Sequence, residues 1–280
     1  MNHFLLYSKV CAECSALVTR RYSTSFSMGI KMLDKSLRAP IYSIYGFVRF
    51  ADEIVDTFHD YPKEALFEAF KRDTWEAIRG KISLNPILHA FQQVVNRYGI
   101  EEELIQAFLN SMEEDLYKSS FELKGYNEYI YGSAEVVGLM TLRVFCEGRE
   151  AEYQRLKPHA RSLGSAFQKV NFLRDLKSDY QERGRVYFPG VDFKTFSNED
   201  KRKIEEEIQG DFDYGYIGIK QLPEKARFGV YLAYKYYLNL FDKIRSKDAG
   251  QVAEARIRIN DYKKAFLLMK SALLVKTRMF

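Results

Sequence analysis

Two pairs of aspartates constrain this chain more than any other feature. Asp52 and Asp56 form the first pair, Asp175 and Asp179 the second, and within each pair the residues are four positions apart. On a helix such residues lie on one face, with their Cβ atoms about 5–6 Å apart. Mg²⁺ is usually held by one or two carboxylates together with water and substrate phosphates. Each pair therefore predicts a helical platform for a divalent cation, and two facing platforms could clamp a phosphate-rich substrate.

The first pair belongs to a longer polar stripe. One helix face carries four polar residues at spacings of four, three and four: Tyr45, Arg49, Asp52 and Asp56. Apolar residues, among them Phe47, lie on both sides of this stripe. A polar stripe on an otherwise buried helix predicts the wall of a water-filled cavity.

The second pair belongs to a similar stripe on a later helix, predicted from Leu156 to Tyr180. Its members are spaced by three, four and four residues: Gln168, Asn171, Asp175 and Asp179. Amide and carboxylate oxygens are common ligands of hard cations. Arg174 lies next to this stripe and Arg185 follows it, so both provide donors for phosphate oxygens.

The periodicity of nearly every segment predicts helix, and the composition agrees with an all-α fold. Of the 280 residues 46% are hydrophobic, whereas only 6 are Pro and 16 are Gly, which argues against an all-β or disordered chain. No linker, fixed-period repeat or low-complexity stretch divides the sequence, so we predict one domain over residues 1–280. The net charge of +5 is too small to imply a nucleic-acid partner.

The three cysteines do not form a disulfide framework in a chain of this length. Cys11 and Cys14 have the spacing of a metal or redox pair, but no second pair or nearby His accompanies them. We interpret both as packing residues of the first helix. No signal peptide and no run of about 18 apolar residues is evident, so we expect a cytoplasmic protein.

Four further features allow local predictions. Hydroxyl residues from Ser23 to Ser27 interrupt the first helical pattern, either as a helix N-cap or as donors for phosphate oxygens. Pro40 suits the first turn of the helix that carries the first stripe. Asp115 belongs to an acidic cluster that we expect to be solvated, with support of the site as the alternative. The segment Asn198–Gly218 is polar and poorly periodic, and is predicted to be a surface excursion.

These motifs resemble those of the squalene/phytoene synthase family. The segment Tyr45–Asp56, YGFVRFADEIVD, is similar to the family's first aspartate-rich motif. The segment Leu163–Asp175, LGSAFQKVNFLRD, continues through Asp179 to Arg185 and is similar to the second. The early segment Ser23–Phe26 matches a Ser-x-Ser-Phe pattern. The resemblance extends from Tyr22 to about Lys264.

The resemblance implies an isoprenoid-synthase-type helical bundle around a central cavity. It also implies head-to-head condensation of two prenyl diphosphates through a cyclopropyl intermediate, with Mg²⁺ or Mn²⁺ as cofactor. The implied metal ligands lie on two walls: Asp52, Asp56, Asn171, Asp175 and Asp179. The implied substrate-binding residues are Ser23, Ser25, Phe26, Tyr45, Arg49, Gln168, Arg174 and Arg185. Tyr237 matches a tyrosine that faces the site, and with the aspartates it completes the expected catalytic set.

The sequence departs from the family pattern at three places. Glu53 follows Asp52, which is a conservative variation. Glu135 stands where the family usually has glycine, in a segment of small residues that permits close helix approach, and we expect it to pair with an arginine. Lys169 and Val170 replace the more usual Leu-Thr, which we expect to affect packing more than chemistry.

Squalene synthases use NADPH and commonly carry a C-terminal membrane anchor, and the sequence shows neither an anchor nor a dinucleotide fingerprint. We therefore predict phytoene synthesis from two geranylgeranyl diphosphates without NADPH. Dehydrosqualene or squalene synthesis from farnesyl diphosphate is the close alternative, and a non-catalytic assembly factor is the third. Ala253–Thr277 predicts a basic amphipathic helix, exposed to water or touching the inner face of the membrane. We expect a monomer or weak dimer.

Overall fold

The computed structural model describes residues 2–117, 123–184, 187–254 and 257, and these ranges contain helices and no β-strand. The α-helices are α1 (His3–Tyr22), α2 (Thr24–Lys31), α3 (Lys35–Thr57), α4 (Lys63–Gly80), α5 (Pro86–Tyr98), α6 (Glu102–Glu114), α7 (Leu123–Ile130), α8 (Val136–Cys146), α9 (Glu150–Arg183), α10 (Asn198–Gln221), α11 (Glu224–Arg245) and α12 (Ala249–Glu254). A π-helical turn at Tyr131–Glu135 joins α7 to α8, and a 3₁₀ turn at Phe193–Thr195 precedes α10. The all-α prediction is confirmed.

Packed phenylalanines fix the orientation of α3. Phe47 on α3 stacks on Phe91 of α5 with 3.8 Å between ring centroids. Phe70 of α4 and Phe108 of α6 complete the cluster, with centroids 5.5 Å and 5.4 Å from that of Phe47. The polar stripe of α3 is therefore turned away from this apolar cluster and faces the interior of the bundle.

The other half of the core joins α9, α10 and α11. Phe212 on α10 lies 5.6 Å from Phe241 on α11, measured between ring centroids. Lys169 of α9 is buried and donates to Asp211 of α10 at 2.7 Å and to Glu207. A buried lysine is stable only when its charge is paired, so this contact fixes how α9 lies against α10.

The prediction of a surface excursion at Asn198–Gly218 is wrong, because the segment forms most of α10. Ser197 and Asp200 make a reciprocal capping box at its start. Seven of its residues are buried, and five of them recur at helical spacing: Ile204, Ile208, Phe212, Gly215 and Ile219. The many charged residues between them occupy the exposed faces and conceal this apolar stripe in the sequence.

The prediction that Pro40 occupies the first turn is also wrong. The helix begins earlier, at Lys35, where the Asp34 side chain accepts a hydrogen bond from the Ser36 backbone N–H at 2.9 Å. Pro40 therefore lies inside α3, where it removes one backbone donor. The cap at Asp34 and the packed cluster around Phe47 hold the helix together despite this loss.

Small residues bring the π-helical turn close to its neighbours. A Cβ atom on Gly132 would lie 2.6 Å from the Ala107 carbonyl oxygen, so only glycine fits there. In the same segment Glu135 accepts a hydrogen bond from Nε of Arg161 at 2.5 Å, which confirms the predicted arginine partner. Burial raises the pKa of Glu135, and the Arg161 charge partly offsets this effect.

The remaining local predictions concern the two ends of the chain. Cys11 is buried and Cys14 half-buried on α1, as expected for packing residues. The amphipathic helix predicted at Ala253–Thr277 lies almost entirely outside the described residues.

Among the described helices, none combines the length and apolar character that crossing a bilayer demands.

Candidate active site

A cavity of about 1250 Å³ opens between α3 and α9. Thirteen residues selected from the sequence line it: Ser23, Ser25, Phe26, Tyr45, Arg49, Asp52, Asp56, Gln168, Asn171, Arg174, Asp175, Asp179 and Tyr237. Arg185 lies outside the described residues. The helical periodicity of each stripe explains why its members share one wall, and the packing of the bundle brings the two walls to one cavity. The individual roles of these residues stay predictions.

On the α3 wall, the arginine is held by acids of its own helix. Nη1 of Arg49 lies 3.4 Å from Oδ2 of Asp52, and Nη2 lies 2.9 Å from Oε2 of Glu53. Glu53 also accepts a hydrogen bond from Thr57 and is not among the residues that line the cavity. Tyr22 covers the guanidinium, with its ring centroid 4.5 Å from Cζ. Glu53 therefore orients Arg49, whereas the two aspartates of the motif face the cavity.

The charges on this wall reinforce one another. Burial alone would lower the pKa of Arg49, but the carboxylates of Asp52 and Glu53 outweigh it and raise that pKa. Burial would likewise raise the pKa of Glu53, yet hydrogen bonds from Thr57, Tyr22 and Arg49 lower it overall. Both groups are therefore charged near neutral pH, and the guanidinium keeps its positive charge for an anionic ligand.

On the α9 wall, the arginine is paired with an aspartate of the motif itself. Nε of Arg174 lies 3.0 Å from Oδ1 and 3.1 Å from Oδ2 of Asp175, and Nη2 also donates to Oδ2. Burial would lower the pKa of Arg174, but the Asp175 carboxylate raises it overall. Tyr237 of α11 donates to Oδ1 of Asn171 at 3.3 Å. The stripe on α9 is thus tied to α11 as well as to its own arginine.

Aromatic rings enclose the space between the two walls. Phe167 stacks on Tyr237 with 4.0 Å between centroids, and Phe26 lies 5.5 Å from Tyr45 and 6.1 Å from Tyr237. Burial raises the pKa of Tyr45 to about 12 and also raises that of Tyr237. Both phenols therefore stay protonated and neutral at ordinary pH.

The hydroxyl segment between α1 and α2 forms a helix cap. Oγ of Ser23 accepts a hydrogen bond from the Phe26 backbone N–H at 3.2 Å, which confirms the capping interpretation. Ser23, Ser25 and Thr24 also line the cavity at the start of α2. The cap and the cavity wall are therefore the same segment, and a contact with phosphate oxygens stays a prediction.

Some lining residues were missed or left undecided by the sequence. Tyr129 donates to Oδ2 of Asp115 at 2.9 Å, and both line the cavity. Asp115 is buried, so the prediction of a solvated acidic cluster is wrong for this residue, and the alternative, support of the site, stays a prediction. Phe167 was also missed, although its position directly before Gln168 was an available signal. Tyr129 offered no comparable signal, because its ring reaches the cavity through contacts with other elements, among them Phe172 of α9 at 6.1 Å between ring centroids.

Away from the aspartates the cavity is lined mainly by apolar side chains. They come from α2, α3, α8, α9 and α10 and from the segments that follow α2 and α10: Ile30, Leu33, Ile41, Ile44, Leu142, Phe145, Leu156, Ile219 and Leu222. The cavity therefore has a polar end, with carboxylates and guanidinium groups, and an apolar end that suits hydrocarbon.

The donor set at the polar end fits Mg²⁺. It consists of carboxylate oxygens on α3, and of carboxylate and amide oxygens on α9. No three His, Cys, Asp or Glu residues in the described ranges come together as a preformed metal cluster. A cation here would complete its shell with water and phosphate oxygens, which is the usual arrangement for Mg²⁺.

Comparison with known proteins gives a consistent result. The model of the squalene/phytoene synthase family matches residues 19–263. The chain is 28% identical over 200 residues to the 4,4'-diapophytoene synthase of Staphylococcus haemolyticus, covering 69% of this chain and 66% of that protein. It is 26% identical over 286 positions to the chloroplastic phytoene synthase 1 of Solanum lycopersicum, covering 93% of this chain and 65% of that protein. The chain thus spans just under two thirds of these two relatives.

Solved structures show the same fold. A dehydrosqualene synthase in complex with ligand has a TM-score of 0.82 at 22% identity, covering 98% of this chain and 99% of that one. The squalene synthase HpnC from Alicyclobacillus acidocaldarius has a TM-score of 0.76 at 19% identity, covering 89% of this chain and 97% of that one. The predicted isoprenoid-synthase-type bundle is confirmed.

Proposed function

The chain belongs to the squalene/phytoene synthase family, and from this premise we propose that it is a prenyltransferase that joins two prenyl diphosphates head to head. The proposed substrate is geranylgeranyl diphosphate and the proposed product is phytoene, formed through a cyclopropyl diphosphate intermediate. The observation that carries this proposal is the cavity with two aspartate platforms at one end and apolar walls at the other.

The polar end provides groups that bind diphosphate from both sides. Arg49 and Arg174 supply guanidinium donors, which suit phosphate oxygens because several N–H groups point in fixed directions. Ser23 and Ser25 supply hydroxyl donors at the start of a helix, where the backbone also favours an anion. These residues hold the leaving groups while the prenyl chains lie along the apolar walls.

The residues proposed to hold Mg²⁺, or Mn²⁺ in its place, are Asp52, Asp56, Asn171, Asp175 and Asp179. When bound, the cation neutralises charge that develops on the departing diphosphate. Arg174 is paired with Asp175 in this structure, and we propose that it turns toward diphosphate oxygens when substrate and cation arrive. The pairing keeps the carboxylate and the guanidinium in place until then.

Departure of diphosphate leaves an allylic carbocation, which water would destroy. Phe26, Phe167 and Tyr237 surround the space next to the platforms, exclude water and present ring faces that stabilise positive charge. The neutral Tyr237 phenol keeps Asn171 oriented through its hydrogen bond. The aromatic groups thus protect the reacting carbons and position one of the proposed ligands.

The length of the prenyl chain is the least constrained part of the proposal. Relatives named phytoene synthase support geranylgeranyl diphosphate. The relative named 4,4'-diapophytoene synthase supports the alternative, farnesyl diphosphate, equally well. The apolar side chains that line the cavity, such as Leu142 and Phe145, are the ones whose volumes decide between the two.

A product assay tests the proposal. The purified protein is incubated with Mg²⁺ and either geranylgeranyl or farnesyl diphosphate, without NADPH, and extracted hydrocarbons are identified by mass spectrometry. We expect phytoene, and none from an Asp52→Ala control. Dehydrosqualene alone would keep the mechanism and change the substrate. Folded, metal-supplied protein that makes no hydrocarbon from either substrate would overturn the proposal in favour of a non-catalytic relative.

A further inference from the structure

One helix, α9, lines the cavity from its polar end to its apolar end. The lining residues on one face of this helix recur every three or four positions: Asp175, Asn171, Gln168, Gly164, Ala160 and Leu156. Because a helix rises about 1.5 Å per residue, Gly164 lies roughly 17 Å and Ala160 roughly 22 Å from Asp175 along the helix axis. The depth of the cavity can therefore be measured along α9.

The two candidate substrates differ in length by about one helical turn. An extended hydrocarbon chain advances about 1.2 Å per bond, so an isoprene unit adds about 5 Å. Measured from the diphosphate, an extended farnesyl chain spans roughly 16 Å and an extended geranylgeranyl chain roughly 20 Å. When the diphosphate lies at the level of Asp175, the middle one of the three proposed cation ligands on α9, the farnesyl chain ends near Gly164. Only the last isoprene unit of the geranylgeranyl chain reaches Ala160.

Small residues line the cavity at the level of Ala160. Gly138 of α8 lies so close that a Cβ atom on it would be 3.0 Å from the Ala160 carbonyl oxygen, and both residues line the cavity. Larger, buried side chains line it between this level and the hairpin that joins α8 to α9: Leu142, Phe145 and Leu156. The cavity therefore has room for a last isoprene unit at Ala160 and is bounded by bulky side chains beyond it.

Close contacts with α10 hold α9 in place at the same level. A Cβ atom on Gly218 of α10 would lie 2.3 Å from Cβ of His159, the residue before Ala160. Nδ1 of His159 donates to the Tyr214 carbonyl oxygen at 2.9 Å, and the centroids of the two rings are 4.3 Å apart. Because α8 and α10 both press on α9 here, the helix cannot shift to admit a larger side chain in place of Ala160. Such a side chain would project into the cavity.

We propose that Ala160 is a specificity-determining residue, whose position in the cavity wall only the last isoprene unit of a geranylgeranyl chain contacts. The inference rests on the proposed function and names the position at which its two candidate substrates differ. The Ala160 methyl group leaves this space open to the longer chain. A larger side chain would fill the space and leave the farnesyl chain, which ends about one helical turn earlier, unaffected.

The first experiment measures kcat/KM for hydrocarbon formation from each prenyl diphosphate separately, with Mg²⁺ and without NADPH. Ala160→Phe should reduce kcat/KM for geranylgeranyl diphosphate at least about 100-fold, and Ala160→Leu about tenfold. Neither variant should lower kcat/KM for farnesyl diphosphate by more than about threefold. Gln154→Phe is the matched control, because Gln154 is exposed on α9 and is not among the residues that line the cavity. It should behave like the wild type with both substrates.

The second experiment measures binding without catalysis. It uses the thiodiphosphates of both prenyl chains, in which sulfur replaces the oxygen that links phosphorus to carbon and ionisation is slow. In calorimetry with Mg²⁺, Ala160→Phe should bind the geranylgeranyl analogue at least about tenfold more weakly, and the farnesyl analogue as the wild type does. Inorganic diphosphate should bind equally to all variants. If no hydrocarbon forms, the proposed function fails, and these affinities still decide the inference about Ala160.

Three results would overturn the inference. Ala160→Phe could retain the wild-type kcat/KM and affinity for the geranylgeranyl compounds, or it could lose both chain lengths equally while inorganic diphosphate still binds. The wild type could also bind neither analogue or only the farnesyl one, which would place the end of the usable cavity before Ala160. If Ala160→Phe does not fold, the smaller replacement in Ala160→Leu decides by the same comparison of the two chain lengths.

Discussion

The two walls of the cavity carry the same motif but hold their arginines differently. On α3, Arg49 is anchored at 2.9 Å by Glu53, which does not line the cavity, and lies 3.4 Å from Asp52. On α9, Arg174 is anchored by Asp175 itself, through contacts at 3.0 Å and 3.1 Å. One wall thus separates the anchoring acid from the acids that face the cavity, and the other combines both tasks in one carboxylate.

This difference shows how one spacing gives two electrostatic arrangements. On α3 the anchor can stay in place when a ligand arrives, because Glu53 is a separate group. On α9 the contact between Arg174 and Asp175 must change before both can serve diphosphate and cation. We therefore expect the α9 wall to respond more strongly to changes in its arginine, and the α3 wall to depend on a residue outside the cavity.

The largest effect is expected from the cavity-facing aspartates. Asp52→Ala and Asp175→Ala should each reduce turnover on the order of 10³-fold or more, because each removes a charge proposed to hold the cation. Turnover is measured as hydrocarbon formed, and circular dichroism checks that the fold is retained. Unchanged turnover in either variant would contradict a mechanism with two platforms.

The arginines test the asymmetry directly. Arg174→Lys should reduce kcat/KM by about 10- to 100-fold, because a lysine cannot reproduce the two-pronged contact with Asp175. Arg49→Lys should have a smaller effect, since one nitrogen of Arg49 lies against Asp52 and another against Glu53, so neither contact is two-pronged. Steady-state kinetics of both variants under one set of conditions gives the two values of kcat/KM. Equal reductions of kcat/KM would contradict the proposed difference between the walls.

A substitution of Glu53 distinguishes two roles for this residue, holding Arg49 in place or binding the metal ion. Glu53→Gln should raise KM for the prenyl diphosphate by about tenfold, because Arg49 loses the nearer of its two charged partners and keeps only Asp52 at 3.4 Å. The Mg²⁺ concentration that gives half-maximal rate should not change, and calorimetric binding of inorganic diphosphate with Mg²⁺ should weaken in parallel with KM. A shifted Mg²⁺ requirement would instead assign Glu53 to the cation.

The smallest effect is expected at the phenols. Tyr237→Phe removes the hydrogen bond to Asn171 and should lower kcat by about 3- to 10-fold. Because burial raises the pKa of both phenols, that of Tyr45 to about 12, neither should ionise below about pH 10. The pH–rate profiles of Tyr45→Phe, Tyr237→Phe and the wild type should therefore have the same alkaline limb. A limb that is lost in one variant would assign a titrating role to that tyrosine.

The sequence determined the features that depend on local periodicity. The all-α fold and the two polar stripes follow from spacings of three and four residues, because a helix places such residues on one face whatever surrounds it. The pairing of Glu135 with an arginine could be expected because an acid among small, apolar residues requires a counter-charge. The wrong prediction for the segment that forms α10 also came from local periodicity, because exposed charged residues concealed its apolar stripe in the sequence.

Only the tertiary structure decided which members of each motif face the cavity. Asp52 and Glu53 are three and four residues from Arg49, so the helical period alone does not distinguish them. Hydrogen bonds from Thr57 and from Tyr22 of α1 hold Glu53, which is not among the residues that line the cavity. The contact of Tyr129 with Asp115, like the convergence of α3 and α9 on one cavity, joins residues far apart in the chain. Such contacts depend on how the helices pack, which local spacing does not encode.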